Sequence, residues 1–286
     1  MELQIDILDA LVEALPSVNF VHSPSSEAYR LLAAVAQREV TRFRGDEPKP
    51  VPFGPFGEIR FPYFEMGKIN SLHLFGLDEL IIFSYYRHNR ARYRKVADIG
   101  ANIGLHSLVL SRCGFEVRSF EPDPIHFAKL QQTLSSNDCA SVTPIRAAVS
   151  LEEGSAEFVR VLGNTTGSHL AGAKSNPYGD LERFQVKVEA LRPIMEWADL
   201  IKLDVEGHEA ALIEGTRRAD WLGVDAMIEV GTAENAQAVF DHLMKEGVYM
   251  FSQKRDWQRV EVLDDVPTSY REGSLFISTK TDMNWA

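Results

Sequence analysis

A chain of 286 residues with 45% apolar content can bury one large α/β domain and an appendage. Its formal net charge of -11 excludes a general nucleic-acid binder, whose phosphate contacts need clustered Lys and Arg. The first basic residue is Arg30 and no apolar run approaches the roughly 18 residues that span a bilayer, so neither a secretory signal nor a membrane span is expected. Cys113 and Cys139 have neither paired-ligand spacing nor the numbers for a disulfide framework. Both read as packing residues of a cytosolic protein.

The segments "LQIDILDALVEALP" and "SEAYRLLAAVAQREVTRFR" space apolar residues as amphipathic helices over about the first 44 positions. Pro48 to Pro62 then holds five of the 13 prolines, which breaks regular structure. Residues 1–94 therefore read as an N-terminal, α-rich appendage with a short β element around Glu58 to Phe64 and a helix from about Leu77 to Arg90. Residues 95–286 alternate strand and helix. Strands are expected at Val96–Asp98, Glu116–Phe120, Val142–Arg146, Leu200–Asp204, Ala226–Val230, Val248–Ser252 and Ser274–Ser278. The helices between them fall at Gly104–Cys113, Pro124–Ser135, His208–Glu214 and Glu234–Glu246. This alternation predicts a mostly parallel sheet covered on both faces, with ligands outside the carboxyl ends of the strands. The polar, glycine-rich segment Gly163 to Asp180 reads as a substrate lid or a surface insertion.

"KVADIGANIGLHS" places a carboxylate at a strand end before a glycine turn and a helix. The glycines are Gly100 and Gly104, with Asn102 between them, so the dinucleotide spacing G-x-G-x-x-G is absent. Asp98 would point a negative charge into the site. That repels a pyrophosphate and suits a ligand with an amino group and a sulfonium, favouring S-adenosylmethionine over NAD. Glu121, 23 positions after Asp98 (121 − 98), ends the next strand, where a carboxylate can accept hydrogen bonds from two ribose hydroxyls, and Pro122 fixes the following turn.

Three stretches, "DIGANIGLHS", "FEPDP" and "IKLDVEGHEAALIEG", closely resemble the FkbM family of S-adenosylmethionine-dependent methyltransferases. The resemblance covers about Lys95 to Ser278. It implies a class I, Rossmann-like methyltransferase sheet of seven strands, the last antiparallel, and O-methylation of sugars or polyketide-like natural products. It also implies that Asp98, Gly100, Ala101, Asn102 and Gly104 form the turn at the cofactor's amino-acid end, that Glu121 and Pro122 serve the ribose, and that Asn137 and Ala147 line the adenine pocket. The acceptor would be a small molecule or glycan. The first 94 residues fall largely outside the resemblance and would cap the substrate site, pack a homo-oligomer or dock a carrier.

Removing the acceptor's hydroxyl proton needs a positioned base. Asp204, Glu206 and His208, in the turn after the fourth strand, are the candidates, whereas Glu209 and Glu214 read as a solvated helix face. A divalent metal on Asp204 and Glu229 is weighed and not favoured, because no third ligand is evident. The five Arg and Lys of "YYRHNRARYRK" are either a solvated helix end or a handle for an anionic acceptor. Trp197, Trp221, Trp257 and Trp285 are either packing residues or sugar-stacking platforms. An NAD-dependent dehydrogenase and a non-catalytic nucleotide-binding module are the rival readings.

Overall fold

A computed structural model describes residues 6–43, 49–174 and 179–285. Residues 1–5 and 44–48, within the expected N-terminal helical and proline-rich stretches, and residues 175–178 of the expected lid lie outside them.

The N-terminal segment holds helices α1 (Ile7–Ala14) and α2 (Glu27–Val40), the paired strands β1 (Val51–Pro52) and β2 (Glu58–Ile59), and helix α3 (Leu77–His88). Side chains of Asp6 and Ser26 cap α1 and α2 by accepting from their first-turn amides. The β element is shorter than the sequence suggested, because its pairing with Val51 and Pro52 ends at Ile59.

From Lys95 the chain runs β3 (Lys95–Ile99), α4 (Leu105–Arg112), β4 (Glu116–Phe120), α5 (Pro124–Ser136) and β5 (Val142–Ile145). A second group, β6 (Ala148–Ser150), β7 (Gly154–Val161), β8 (His169–Leu170) and β9 (Leu181–Ala190), forms a separate four-stranded sheet. The chain returns through α6 (Leu191–Trp197), β10 (Leu200–Leu203), α7 (Glu209–Glu214), β11 (Asp225–Ile228) and α8 (Ala233–Glu246). It ends with β12 (Tyr249–Ser252), β13 (Gln258–Arg259) and β14 (Leu275–Ser278).

The main sheet has the order β13-β12-β14-β11-β10-β3-β4-β5. Strands β5, β4, β3, β10 and β11 are parallel, and β14 runs antiparallel to both β11 and β12. This is the class I methyltransferase arrangement. The count of seven needs one correction: among the described residues an eighth, two-residue strand, β13, extends the edge by pairing with Phe251 and Ser252. Its exposed polar sequence, Gln258–Arg259, gives no strand signal.

Alternate residues of the strands feed two cores. Val96, Val117, Leu200, Met227 and Phe276 face one way, against α3, α4 and the N-terminal helices. Ala97, Ile201, Ala226 and Ile277 face the other, with Ile194, Leu212 and Val239. The N-terminal segment thus shares a core with the sheet, its aromatic residues including Phe75, which stacks on Phe43 at 4.8 Å. Burying this much apolar surface at roughly 25 cal/mol per Å² fixes the segment over one face of the sheet, next to the strand ends.

Candidate active site

A cavity of about 720 Å³ opens over the carboxyl ends of β3, β4, β10 and β11, roofed by β7 and the loop after it. That volume lies within the range of roughly 300–1,000 Å³ usual for small-molecule sites.

The first wall is the turn after β3. Gly100 has φ +83°, and a Cβ there would fall 1.7 Å from the Asp204 carbonyl oxygen, so only glycine lets the turn approach β10. Gly104, at φ +93°, lets α4 pack on Leu130 of α5. Asn102 adopts φ +51°, and its Oδ1 is buried with no hydrogen-bond partner among the described residues. Its backbone N–H donates to Glu121 Oε2 at 2.8 Å. The other Glu121 oxygen accepts from the Asp123 N–H at 2.8 Å. Burial pushes the Glu121 carboxyl up to about 8, against the opposing effect of these two amides. Each oxygen keeps acceptor capacity for a hydroxyl of a ligand.

Gly100, Asn102, Glu121, Pro122 and Ala147 line this cavity, whereas Asp98, Ala101, Gly104 and Asn137 do not. Asp98 is fully buried beneath the turn, where its Oδ2 accepts from Ser107 Oγ at 2.6 Å and its Oδ1 has no partner among the described residues. Side-chain alternation places it on the α4 face of β3, which corrects the expectation that it points into the site. Asn137 is corrected too. It ends α5, and its amide group holds the backbone of Arg60 through N–H to Oδ1 at 2.8 Å and Nδ2 to the carbonyl at 2.8 Å.

The second wall is the turn after β10. Asp204, Glu206 and His208 all line the cavity. Asp204 Oδ2 meets the buried Lys202 ammonium at 3.1 Å. Burial alone would lower the Lys202 pKa, but the carboxylates of Asp204 and Asp98 override it and hold the amine above its ordinary value. Glu206, at φ +54°, pairs with Lys174 of the roofing loop at 2.6 Å, and burial raises its carboxyl to about 7. His208 sits 3.1 Å from Ser150 Oγ, and burial lowers its pKa, so the ring is neutral near pH 7.

Glu209 is buried, not solvated. Its carboxylate accepts from the amides of Val205 and Gly207 at 2.9 Å each and so holds the turn's shape. Glu229 lines the cavity, its pKa raised by burial and then by Asp204 and Glu206. Among the described residues no group of three or more His, Cys, Asp or Glu side chains is close enough to hold a metal ion.

The roof comes from the segment read as a lid. Asn164 to Ser168, Leu170 and Lys174 line the cavity. The segment is tied down at one end, where Thr165 N–H donates to the Met66 carbonyl and Lys68 N–H to that of Gly163. Thr165 Oγ1 also lies 2.9 Å from His126 Nε2. Among the described residues, none of the four tryptophans lines the cavity, nor do the five basic residues from Arg87 to Lys95. Arg92 instead pairs with buried Asp225, and Arg87 with Glu13.

Sequence reasoning missed Glu79, His106, Lys202, Asp123 and Arg160. Asp123 did carry a signal: an Asp before Pro124 is a helix start, and its Oδ1 accepts from the Ile125 N–H at 2.7 Å. Lys202 carried one too, since it stands two residues before Asp204 and so on the same strand face. Glu79, His106 and Arg160 meet partners across sheets or helices, which spacing along the chain does not reveal.

The sequence profile of the Methyltransferase FkbM domain matches residues 98–254, more than half of the chain. The hexuronic acid methyltransferase AglP of Haloferax volcanii is 27% identical over 127 residues, 43% of this chain and 49% of that protein. The methyltransferase sdnD of Sordaria araneosa is 26% identical, over 44% of this chain and 61% of that protein. The matched region thus spans about half to three fifths of these relatives. Among solved structures, the human methyltransferase 10 domain containing protein is similar with a TM-score of 0.43 at 11% identity, over 86% of this chain and 97% of that one. Cofactor-bound Rv0187 from MTB has a TM-score of 0.37 at 11% identity, over 89% and 90%. With its profile match and its strand order, this chain belongs to the FkbM methyltransferase family.

Proposed function

We propose that this protein is an S-adenosylmethionine-dependent O-methyltransferase acting on a hydroxyl of a saccharide or glycosylated natural product. The observation that carries the cofactor is Glu121, a cavity-lining carboxylate beside the Asn102 turn and positioned for a ribose. The orphaned Asn102 Oδ1 adds an acceptor at the same turn, so the residues present fit the cofactor. A dinucleotide pyrophosphate would meet Asp204, Glu206 and Glu229, with the facing Lys174 already paired to Glu206. A saccharide acceptor is in keeping with a relative named for a hexuronic acid.

When bound, S-adenosylmethionine supplies an electrophilic methyl group on a sulfonium. The chain's own task is to align the acceptor oxygen and take its proton. Asp204 is placed for this: Lys202 engages Oδ2, which leaves Oδ1 for the hydroxyl. Neutral His208 can orient the acceptor or receive its proton, while Glu206 serves mainly as the anchor for Lys174. Residues of the loop over the cavity exclude water.

Asp204→Asn keeps the side chain's shape and removes its charge. Assayed with labelled cofactor and an acceptor found by screening saccharides, it should lower turnover at least about a hundredfold while cofactor affinity changes little. Near-normal turnover in both Asp204→Asn and His208→Ala would remove this turn from the chemistry.

A further inference from the structure

We infer that Glu79, in the first turn of α3, is the carboxylate that meets the ammonium group at the amino-acid end of S-adenosylmethionine, an inference that rests on the cofactor reading above. An ammonium taken from water into a cavity needs an opposite charge or several acceptors in its place. Asp98 cannot provide that charge by contact, because it is fully buried and absent from the cavity wall. One of its oxygens is spent on Ser107, whose hydroxyl also meets Ser119 at 2.7 Å, and the other lies in the interior with no partner among the described residues.

Other carboxylates around the cavity are engaged or disposed to be neutral. Asp204 pairs with Lys202, Glu206 with Lys174, and Glu121 with two backbone amides. Glu229 stands beside Glu79 at the cavity wall, but burial and the neighbouring carboxylates of Asp204 and Glu206 raise its pKa well above the ordinary value, which disposes it to hold a proton rather than a charge.

Glu79 lines the same cavity as Gly100 and Asn102, and its side chain is 29% exposed. Its Oε2 lies 2.6 Å from His106 Nε2. His106 belongs to α4, the helix that leaves the glycine turn, so one element positions both. The other ring nitrogen, Nδ1, is 3.1 Å from the Tyr86 hydroxyl. Burial raises the Tyr86 pKa, so the phenol stays protonated and donates to Nδ1. That fixes the tautomer with hydrogen on Nε2, which then donates to Glu79. No hydrogen bond among the described residues engages Oε1, and this is the oxygen assigned to the ammonium. The helix dipole favours an acid in the first turn of α3 whatever its role, but it does not account for a histidine on the neighbouring helix that holds this acid at the cavity wall.

The N-terminal segment, largely outside the region of resemblance, thereby completes the cofactor site. The test is calorimetric titration of the purified chain with S-adenosylhomocysteine, which retains the ammonium, and with methylthioadenosine, which lacks the amino-acid end. Glu79→Gln should weaken the first at least fivefold and leave the second within twofold, whereas Glu121→Ala should weaken both. Should Glu79→Gln misfold, Glu79→Asp, which withdraws the carboxylate by one methylene, is expected to show the same selectivity. A loss of less than fivefold for S-adenosylhomocysteine, or an equal loss for both ligands, overturns the assignment. If the unaltered protein binds neither ligand, the cofactor reading itself falls and the assignment with it.

Discussion

Arg160 of β7 grips Asp123 with two parallel contacts, Nε to Oδ2 at 2.6 Å and Nη2 to Oδ1 at 2.7 Å, both side chains buried. The pair fastens the small sheet to the start of α5, directly behind Glu121. Burial by itself would raise the Asp123 pKa, but the guanidinium beside it holds the carboxyl below its ordinary value. Removing one partner of a buried pair leaves an uncompensated charge, at about 3–5 kcal/mol. Arg160→Ala should therefore lower unfolding stability by about that amount in urea denaturation. A change below about 1 kcal/mol would show that the pair is dispensable.

Glu121 gives the site a pH dependence. Its carboxyl, pushed up to about 8 in the free protein, must be ionised to accept two hydroxyl hydrogens. A raised value means that binding is opposed below about 8 and released above it. Affinity for S-adenosylhomocysteine should thus rise with pH, by up to about tenfold per unit, and level off above that value. Glu121→Gln should flatten the part of the curve owed to this group, leaving the ligand's own titration. An unchanged slope in that variant would assign the dependence elsewhere.

Lys174 and Glu206 latch the roof to the turn after β10 across 2.6 Å, while both remain about one-third exposed. A pair so exposed contributes little to global stability, so its effect should be on access to the site. We expect S-adenosylhomocysteine to slow proteolysis within residues 163–180 of the unaltered protein, and Lys174→Ala to reduce that protection. Equal cleavage with and without ligand would make the segment a passive insertion.

The strands of the main sheet were legible because both faces are covered: "KVADI" and "LIKL" are short, nearly continuous apolar runs. Five cofactor-turn positions, Asp98, Gly100, Ala101, Asn102 and Gly104, fall within "DIGANIGL", but which of them face the ligand was not legible. Asp98 and Gly100 differ by two residues, yet the strand ends between them at Ile99, so alternation buries the first and the turn exposes the second. The polar segment from Gly163 to Asp180 reads as lying between two β segments, and β7 and β9 are those strands, but their assembly with β6 and β8 into a separate sheet was not legible, because its pairings join residues far apart and Arg160 is paired across the layer. Glu79 and His106 are 27 residues apart and meet only because α3 and α4 cover the same face.

The central claim is that the cavity between Gly100, Glu121 and Asp204 binds S-adenosylmethionine. Isothermal titration of the purified protein with S-adenosylmethionine, S-adenosylhomocysteine and NAD tests it most directly. The account predicts micromolar-scale binding of the first two, weakened by about 1.5–3 kcal/mol in Glu121→Ala through loss of charge-assisted hydrogen bonds. Binding of NAD without either adenosyl ligand, or an affinity for them indifferent to Glu121→Ala, would contradict it.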